Sequence, residues 1–166
     1  MRRLILMRHA KAEPRAGGSD DFDRPLTKRG RRDAAVVAGA LAQNGLIPDL
    51  ALVSTARRAT ETWIAAREVF SGAKAELAPE LYEAAPADIR AAVRGVGDKA
   101  DTVIVVGHNP GLQEIAVQLM LEASSSSGEV QRLVQGLPTA AAVAFRFEPD
   151  GRSAFEGLYL ASEGRS

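Results

Sequence analysis

Apolar and polar positions along this chain fall into blocks whose period switches between that of a buried strand and that of a helix. Leu4-Ile5-Leu6-Met7 is a short continuous apolar run and predicts a central strand. Residues 10–26 are rich in Gly, Pro, Asp and Arg and predict a loop. Thr27 is placed to cap a helix that carries Ala35, Val36, Val37, Ala40 and Leu41 and stops at Asn44-Gly45. Leu50-Ala51-Leu52-Val53 predicts a second buried strand, left by a turn from Ser54 to Arg58 and followed by a helix from Ala59 to about Val69. Ala75-Glu76-Leu77 suits a short strand, and Pro86-Ala87-Asp88 opens a helix with Ile89, Val93 and Val96 on one side. Thr102 to Val106 is β-branched throughout, which makes it the clearest strand. A helix with Leu112, Ile115, Ala116, Leu119 and Met120 follows. The serine run at 124–127 reads as a loop or an unfinished helix end, and the 124–136 segment as either lid or loop. Residues 140–147 and 153–160 form a hairpin pattern around Pro149-Asp150-Gly151.

Strands alternating with helices imply a layered α/β fold, a three-layer α/β/α sandwich around a mostly parallel sheet. Residues 1–166 read as a single domain, without internal repeat or linker. The hydrophobic fraction of 46% is enough for a core. No apolar run reaches membrane-spanning length, and Arg8-His9 cuts off the first one too early for a leader peptide. The chain has no cysteine, which removes disulfides and thiolate metal sites and makes a reducing cytoplasm the default. Its 21 basic and 21 acidic residues balance, which argues against a dedicated nucleic-acid binder.

Candidate chemistry gathers at three strand exits: Arg8-His9, Ser54-Thr55-Ala56-Arg57-Arg58, and Gly107-His108-Asn109-Pro110. In a parallel sheet these exits share one edge, where ligands bind. Both histidines of the chain and at least three arginines are then expected to converge. Guanidinium forks match phosphate oxygens, and a neutral imidazole can attack phosphorus. Without a carboxylate cluster the set suits a dianion better than a divalent metal. The surrounding positive charge should keep His9 neutral and therefore nucleophilic.

Leu6-Met7-Arg8-His9-Ala10 resembles the Arg-His signature of the histidine phosphatase superfamily, which includes the phosphoglycerate mutases. Arg24-Pro25-Leu26-Thr27 with Gly30 is similar to its next segment. Ser54, Arg58, Ala59 and Thr62 match its Ser-x-x-x-Arg-Ala-x-x-Thr pattern, and Gly107-His108-Asn109-Pro110-Gly111-Leu112 the form in its SixA-like phosphohistidine phosphatase branch. The matches run in order over most of the first 115 residues. The resemblance implies a phosphoglycerate mutase-like fold and a phosphatase with His9 as nucleophile. Arg8 and Arg58 would bind the phosphoryl oxygens, His108 would donate a hydrogen bond, and Arg24 would be a further contact. It implies no metal or other cofactor. Departures are Ala10 for Gly and Glu61 for Gln, and the pair Arg57-Arg58 is resolved only by the family pattern. Larger relatives use a carboxylate general acid, for which Glu83 is the candidate here; an imidazole leaving group needs none.

The chain is too short for the capping insertions of the mutases, so a wide site is expected. The substrate would be a phosphorylated protein, such as a phosphohistidine domain, or a small phosphorylated metabolite, with neither nucleic acid nor membrane as partner. A module that only reads phosphorylated proteins is the alternative from another class, disfavoured because a reader needs no nucleophile. Arg57 and the cluster Arg29, Arg31 and Arg32 read as solvated, Trp63 and Phe70 as core, and Arg24 equally as an ion-pair partner of Asp20, Asp21 or Asp23.

Overall fold

The computed structural model describes residues 1–123 and 125–161. Six strands form one sheet: β1 (Arg3–Arg8), β2 (Leu50–Val53), β3 (Lys74–Leu77), β4 (Thr102–Gly107), β5 (Ala142–Phe147) and β6 (Ser153–Tyr159), in the order β3-β2-β4-β1-β5-β6. β1 to β4 are parallel; β5 runs antiparallel to β1, and β6 antiparallel to β5. The helices are α1 (Lys28–Gln43), α2 (Arg57–Arg67), α3 (Pro86–Val96), α4 (Gly111–Glu122) and α5 (Ser127–Gln135).

β1, β2 and β4 are apolar on both faces because both faces are covered, whereas the edge strand β3 is exposed along its length. Leu4, Leu6, Val103 and Val105 pack toward Ile89 and Val93 of α3, Ile115 and Leu119 of α4 and Leu133 of α5. Ile5, Met7, Ile104 and Val106 pack toward Val37 and Leu41 of α1 and Trp63 of α2. Side chains alternate across a strand, so one apolar run supplies both cores of the three-layer α/β/α sandwich.

Most boundaries agree with the sequence pattern. The Thr27 Oγ1 accepts the Gly30 amide at 2.9 Å, the expected cap of α1. Three features differ. α2 starts at Arg57, two residues before Ala59, so Arg57 and Arg58 lie in its first turn rather than in the preceding turn. Residues 127–135 form a full helix, α5, instead of a loop: Ser126 and Glu129 close a capping box, Ser126 Oγ accepting the Glu129 amide at 3.3 Å. Ser124 of the serine run lies outside the described residues. Finally, β5 begins at Ala142 because Ala140 has φ 65°, off the strand conformation.

β4 sits between β2 and β1, which makes the exits of all three neighbours on one edge of the sheet. The ligand-bearing edge of the fold therefore carries His9, the Ser54–Arg58 turn and His108 together.

Candidate active site

His9 leaves β1 held by backbone bonds on both sides: its amide donates to the Gly107 carbonyl at 2.9 Å and its carbonyl accepts from the Ala140 amide at 3.0 Å. The next amide, of Ala10, donates to Thr62 Oγ1 at 2.9 Å, and that hydroxyl donates to the Arg58 carbonyl at 2.6 Å. The β1 exit and the first turn of α2 are thus stapled. The ring is oriented by Nδ1, 2.8 Å from the Ala10 carbonyl. A carbonyl only accepts, so Nδ1 carries the proton and Nε2 keeps its lone pair. His9 is 8% exposed. Burial first, then the charges of Arg58, Arg8 and Arg24, push its pKa down to about 4, against a smaller opposing effect of the Ala10 carbonyl. Positive charge was the expected cause; desolvation is the larger one.

The His108 ring lies 5.2 Å from that of His9, tilted by 51°. Its Nε2 is 2.7 Å from the Ser54 hydroxyl. Ser54 Oγ already accepts the Ala56 amide at 3.3 Å. Its own proton is used if it donates to His108 Nε2, which leaves Nδ1–H as a buried donor. That Nδ1 has no protein partner. Burial, followed by His9 and the arginines, lowers the His108 pKa to about 3.

Two guanidiniums flank the imidazoles. Arg8 donates through Nη1 to the Leu137 carbonyl at 3.0 Å. Arg58, 7% exposed, donates through Nη1 to the Asp21 carbonyl at 2.8 Å and through Nη2 to Asp21 Oδ2 at 3.0 Å. In both arginines Nε is buried and unpartnered. Asn109 Oδ1 completes the set; among the described residues these are the buried side-chain polar atoms without a partner, and all four belong to this site. Buried polar groups are normally satisfied, so a cluster of unsatisfied N–H groups marks where an anion fits.

The sequence profile of the histidine phosphatase superfamily (branch 1) matches residues 4–94. The chain belongs to the histidine phosphatase superfamily. An uncharacterized Mycobacterium tuberculosis protein, Rv1276c, is 36% identical over 141 residues, 84% of this chain and 86% of its own. A solved Agrobacterium tumefaciens protein described as a candidate phosphohistidine phosphatase SixA is 28% identical and superposes with TM-score 0.83 over 95% of this chain and 96% of its own. The fold alone is shared with the mycobacterial glucosyl-3-phosphoglycerate phosphatase Rv2419c solved with VO3, at 18% identity and TM-score 0.68 over 95% and 98% of the two chains. The family and the SixA neighbour support a phosphatase acting on a phosphorylated substrate, within the phosphoglycerate mutase-like fold.

The residues expected from this histidine phosphatase's sequence mostly come together. Arg8, His9, Arg58 and His108 converge, while Arg57 points away and pairs with Glu61 at 2.9 Å. Arg24 pairs with Asp21 at 3.1 Å, as the ion-pair expectation had it, and its charge acts on the His9 ring. Glu83, exposed and at φ 57°, stands on the rim of a cleft of about 480 Å³ with Asp21, Arg58, Tyr82, His108 and Glu114. A second cleft of about 450 Å³ opens on the Arg8 side, along Asn109, Gln113, Leu137 and Leu158.

Asp21 and Tyr82 were not singled out from the sequence. The Tyr82 hydroxyl donates to Asp21 Oδ2 at 2.8 Å, and its ring meets His108 edge-on with centroids 5.5 Å apart. Asp21 thus adds a single carboxylate to the site, and among the described residues no group of three potential ligands could hold a metal. The only sequence signal was the string of aspartates before Arg24, which does not say which one turns inward.

Proposed function

We propose that this phosphatase removes phosphate through a phosphohistidine intermediate on His9, with a protein-borne phosphohistidine as substrate, in one domain spanning the chain and acting in the cytoplasm. The carrying observation is a buried, neutral His9 with Nε2 free, beside the unpartnered Arg8 Nε, Arg58 Nε and His108 Nδ1, the last a donor when Ser54 donates to His108 Nε2.

In this reading the phosphoryl oxygens take those three donors, with Arg24 as a further cation. His9 Nε2 attacks phosphorus in line, and the bond from phosphorus to the leaving nitrogen or oxygen breaks. The leaving group departs with the electron pair and takes up a proton from water or, for a poor leaving group, from Glu83. A water then attacks phospho-His9; phosphate leaves and Nε2 regains its lone pair. Donors fixed before the reaction stabilise the transferring charge without reorganisation. Placing the nucleophile on a histidine rather than on water divides one substitution into two.

A protein substrate is favoured by the two clefts, one along Arg58 and His108 and the other along Arg8 and Asn109, which leave room around the reacting centre for more than a small ester. A sugar phosphate or nucleotide served by the same catalytic set is the second reading. The test is phosphate release from a phosphohistidine-bearing domain and from small phosphomonoesters, with EDTA present, by wild type and His9→Ala. Rapid His9-dependent release from the protein, and little from the esters, is expected. The reverse preference would move the function to metabolites. Full activity of His9→Ala would remove the mechanism.

A further inference from the structure

We infer that Asp21 is the positioning residue of this site, gripping Arg58 and Arg24 so that the unpartnered edge of Arg58 faces the phosphoryl group; the inference rests on the phosphoryl-site reading above.

Asp21 joins three separate pieces of chain. Its carbonyl and Oδ2 accept from Arg58 Nη1 and Nη2 of α2. Its Oδ1 accepts from Arg24 Nη1 at 3.1 Å, and its Oδ2 also accepts from the Tyr82 hydroxyl. The neighbouring Phe22 meets the Tyr82 ring edge-on at 5.2 Å, and Arg24 is tied at its other end to the Glu13 carbonyl at 2.8 Å. The Arg58 guanidinium lies 5.9 Å from the centre of the Tyr82 ring.

A guanidinium presents its N–H groups on separate edges of one plane. The two contacts to Asp21 use the Nη1/Nη2 edge of Arg58, which leaves Nε–H and the second Nη2 hydrogen on the adjoining edge. Arg8 is treated alike: Nη1 is held by the Leu137 carbonyl and Nε is left over. The same edge is therefore offered twice. For Arg8 the holding acceptor is a backbone carbonyl; Arg58 Nη1 is held likewise by the Asp21 carbonyl, but its Nη2 is held by the Asp21 carboxylate, itself fixed by Tyr82 and Arg24. The difference makes Asp21 the replaceable part of the cradle.

A carboxylate beside a phosphate also repels it, so removing Asp21 has two effects of opposite sign. Its side chain is 39% exposed, and water screens its charge. The Arg58 side chain is 9% exposed and keeps its orientation through the Asp21 contacts. Loss of orientation should therefore outweigh loss of repulsion.

The test is tungstate affinity and KM against kcat for wild type, Asp21→Ala, Asp21→Asn, Arg58→Ala and the Asp21→Ala/Arg58→Ala double variant. Asp21→Ala should raise the tungstate Kd and KM about 10-fold, the size expected from losing a hydrogen bond to a charged group. Asp21→Asn keeps an acceptor oxygen and should stay within about 3-fold of wild type. On the Arg58→Ala background, Asp21→Ala should cost less than about 3-fold, because the two act as one unit. Tighter tungstate binding in Asp21→Ala would make Asp21 a competing anion and overturn the inference, as would equal losses in both backgrounds. A wild type that binds no tungstate would remove the phosphoryl-site reading, and the inference with it.

Discussion

Acidification should unfold this protein through its two site histidines before its carboxylates matter. In the folded chain the pKa of His9 falls from 6.5 to about 4 and that of His108 to about 3, both mainly because burial opposes the charged ring. In the unfolded chain both return to about 6.5. Between pH 6.5 and 4 the unfolded state therefore binds protons that the folded state refuses. The stability held in the neutral rings is complete above pH 6.5 and is lost as pH falls through this window. Each pH unit costs up to about 1.4 kcal/mol per histidine, so His9 alone accounts for about 3 kcal/mol by pH 4. The pair accounts for roughly 3–6 kcal/mol, a large share of the 5–15 kcal/mol typical of a domain. Asp21, held down to about 2 by Tyr82 and Arg24, loses its contribution only below the ordinary aspartate range. The two windows are thus separate. Urea unfolding followed by circular dichroism at constant ionic strength, from pH 7.5 to 4.5, reads the slope directly. A slope steeper than one histidine supplies is expected, halved in His9→Asn. Tungstate should shrink the loss, since a bound anion favours the protonated rings and so brings their folded pKa values back toward the unfolded one. Stability that stays flat from pH 6.5 to 4.5 would refute the reasoning.

Other expectations follow from single residues. Arg58→Ala should lower kcat/KM about 10- to 100-fold, because it removes hydrogen bonds to a charged group in a buried site, whereas Arg57→Ala, which breaks only a half-exposed pair with Glu61, should stay within about 2-fold; steady-state kinetics decides. Gly111→Ala should destabilise the fold by about 2 kcal/mol, since its Cβ would collide with the Ala84 carbonyl beneath the start of α4; thermal unfolding of the variant checks it. Glu83→Gln should slow hydrolysis of alkyl phosphates about 10-fold or more while sparing phosphohistidine, whose leaving group needs no acid; equal effects on both would remove Glu83 as proton donor.

Much of the site was legible because each motif position has a local physical task. Ser54 holds the His108 ring, Thr62 staples the β1 exit to α2, and Gly30 lies where a Cβ would strike the Lys11 carbonyl. Glu61, a departure from the family pattern, accepts the Leu26 amide at 2.8 Å and so fixes the end of the first loop. The parallel sheet was legible from apolar runs covered on both faces. α5 was missed although Ser126-x-x-Glu129 is a capping-box pattern, because its surrounding serines read as a loop. Asp21 was not legible. Three aspartates precede Arg24 within four residues, and only the single turn at Asp21–Asp23, docked on Tyr82 from 61 residues away, selects one.

The placement of unrelieved cost argues for the site independently of any relative. Arg8 Nε, Arg58 Nε, His108 Nδ1 and Asn109 Oδ1 are buried without partners at the strand exits, whereas the interior on both faces of the sheet is apolar. Two non-glycine residues adopt left-handed backbone beside the same place: Glu83 on the cleft rim and Ala140, whose amide holds the His9 carbonyl. Two histidines are kept neutral there against their ordinary pKa. The orphaned groups and the left-handed backbone lower stability and the depressed histidines lower it in acid, and a chain selected for stability alone would relieve them by substitution or exposure. An oxyanion relieves three of the four orphaned atoms at once: Arg8 Nε and Arg58 Nε are N–H donors, and so is His108 Nδ1 when Ser54 donates to its Nε2. Where the unfavourable terms cancel only when a particular ligand arrives, the fold is organised around that ligand.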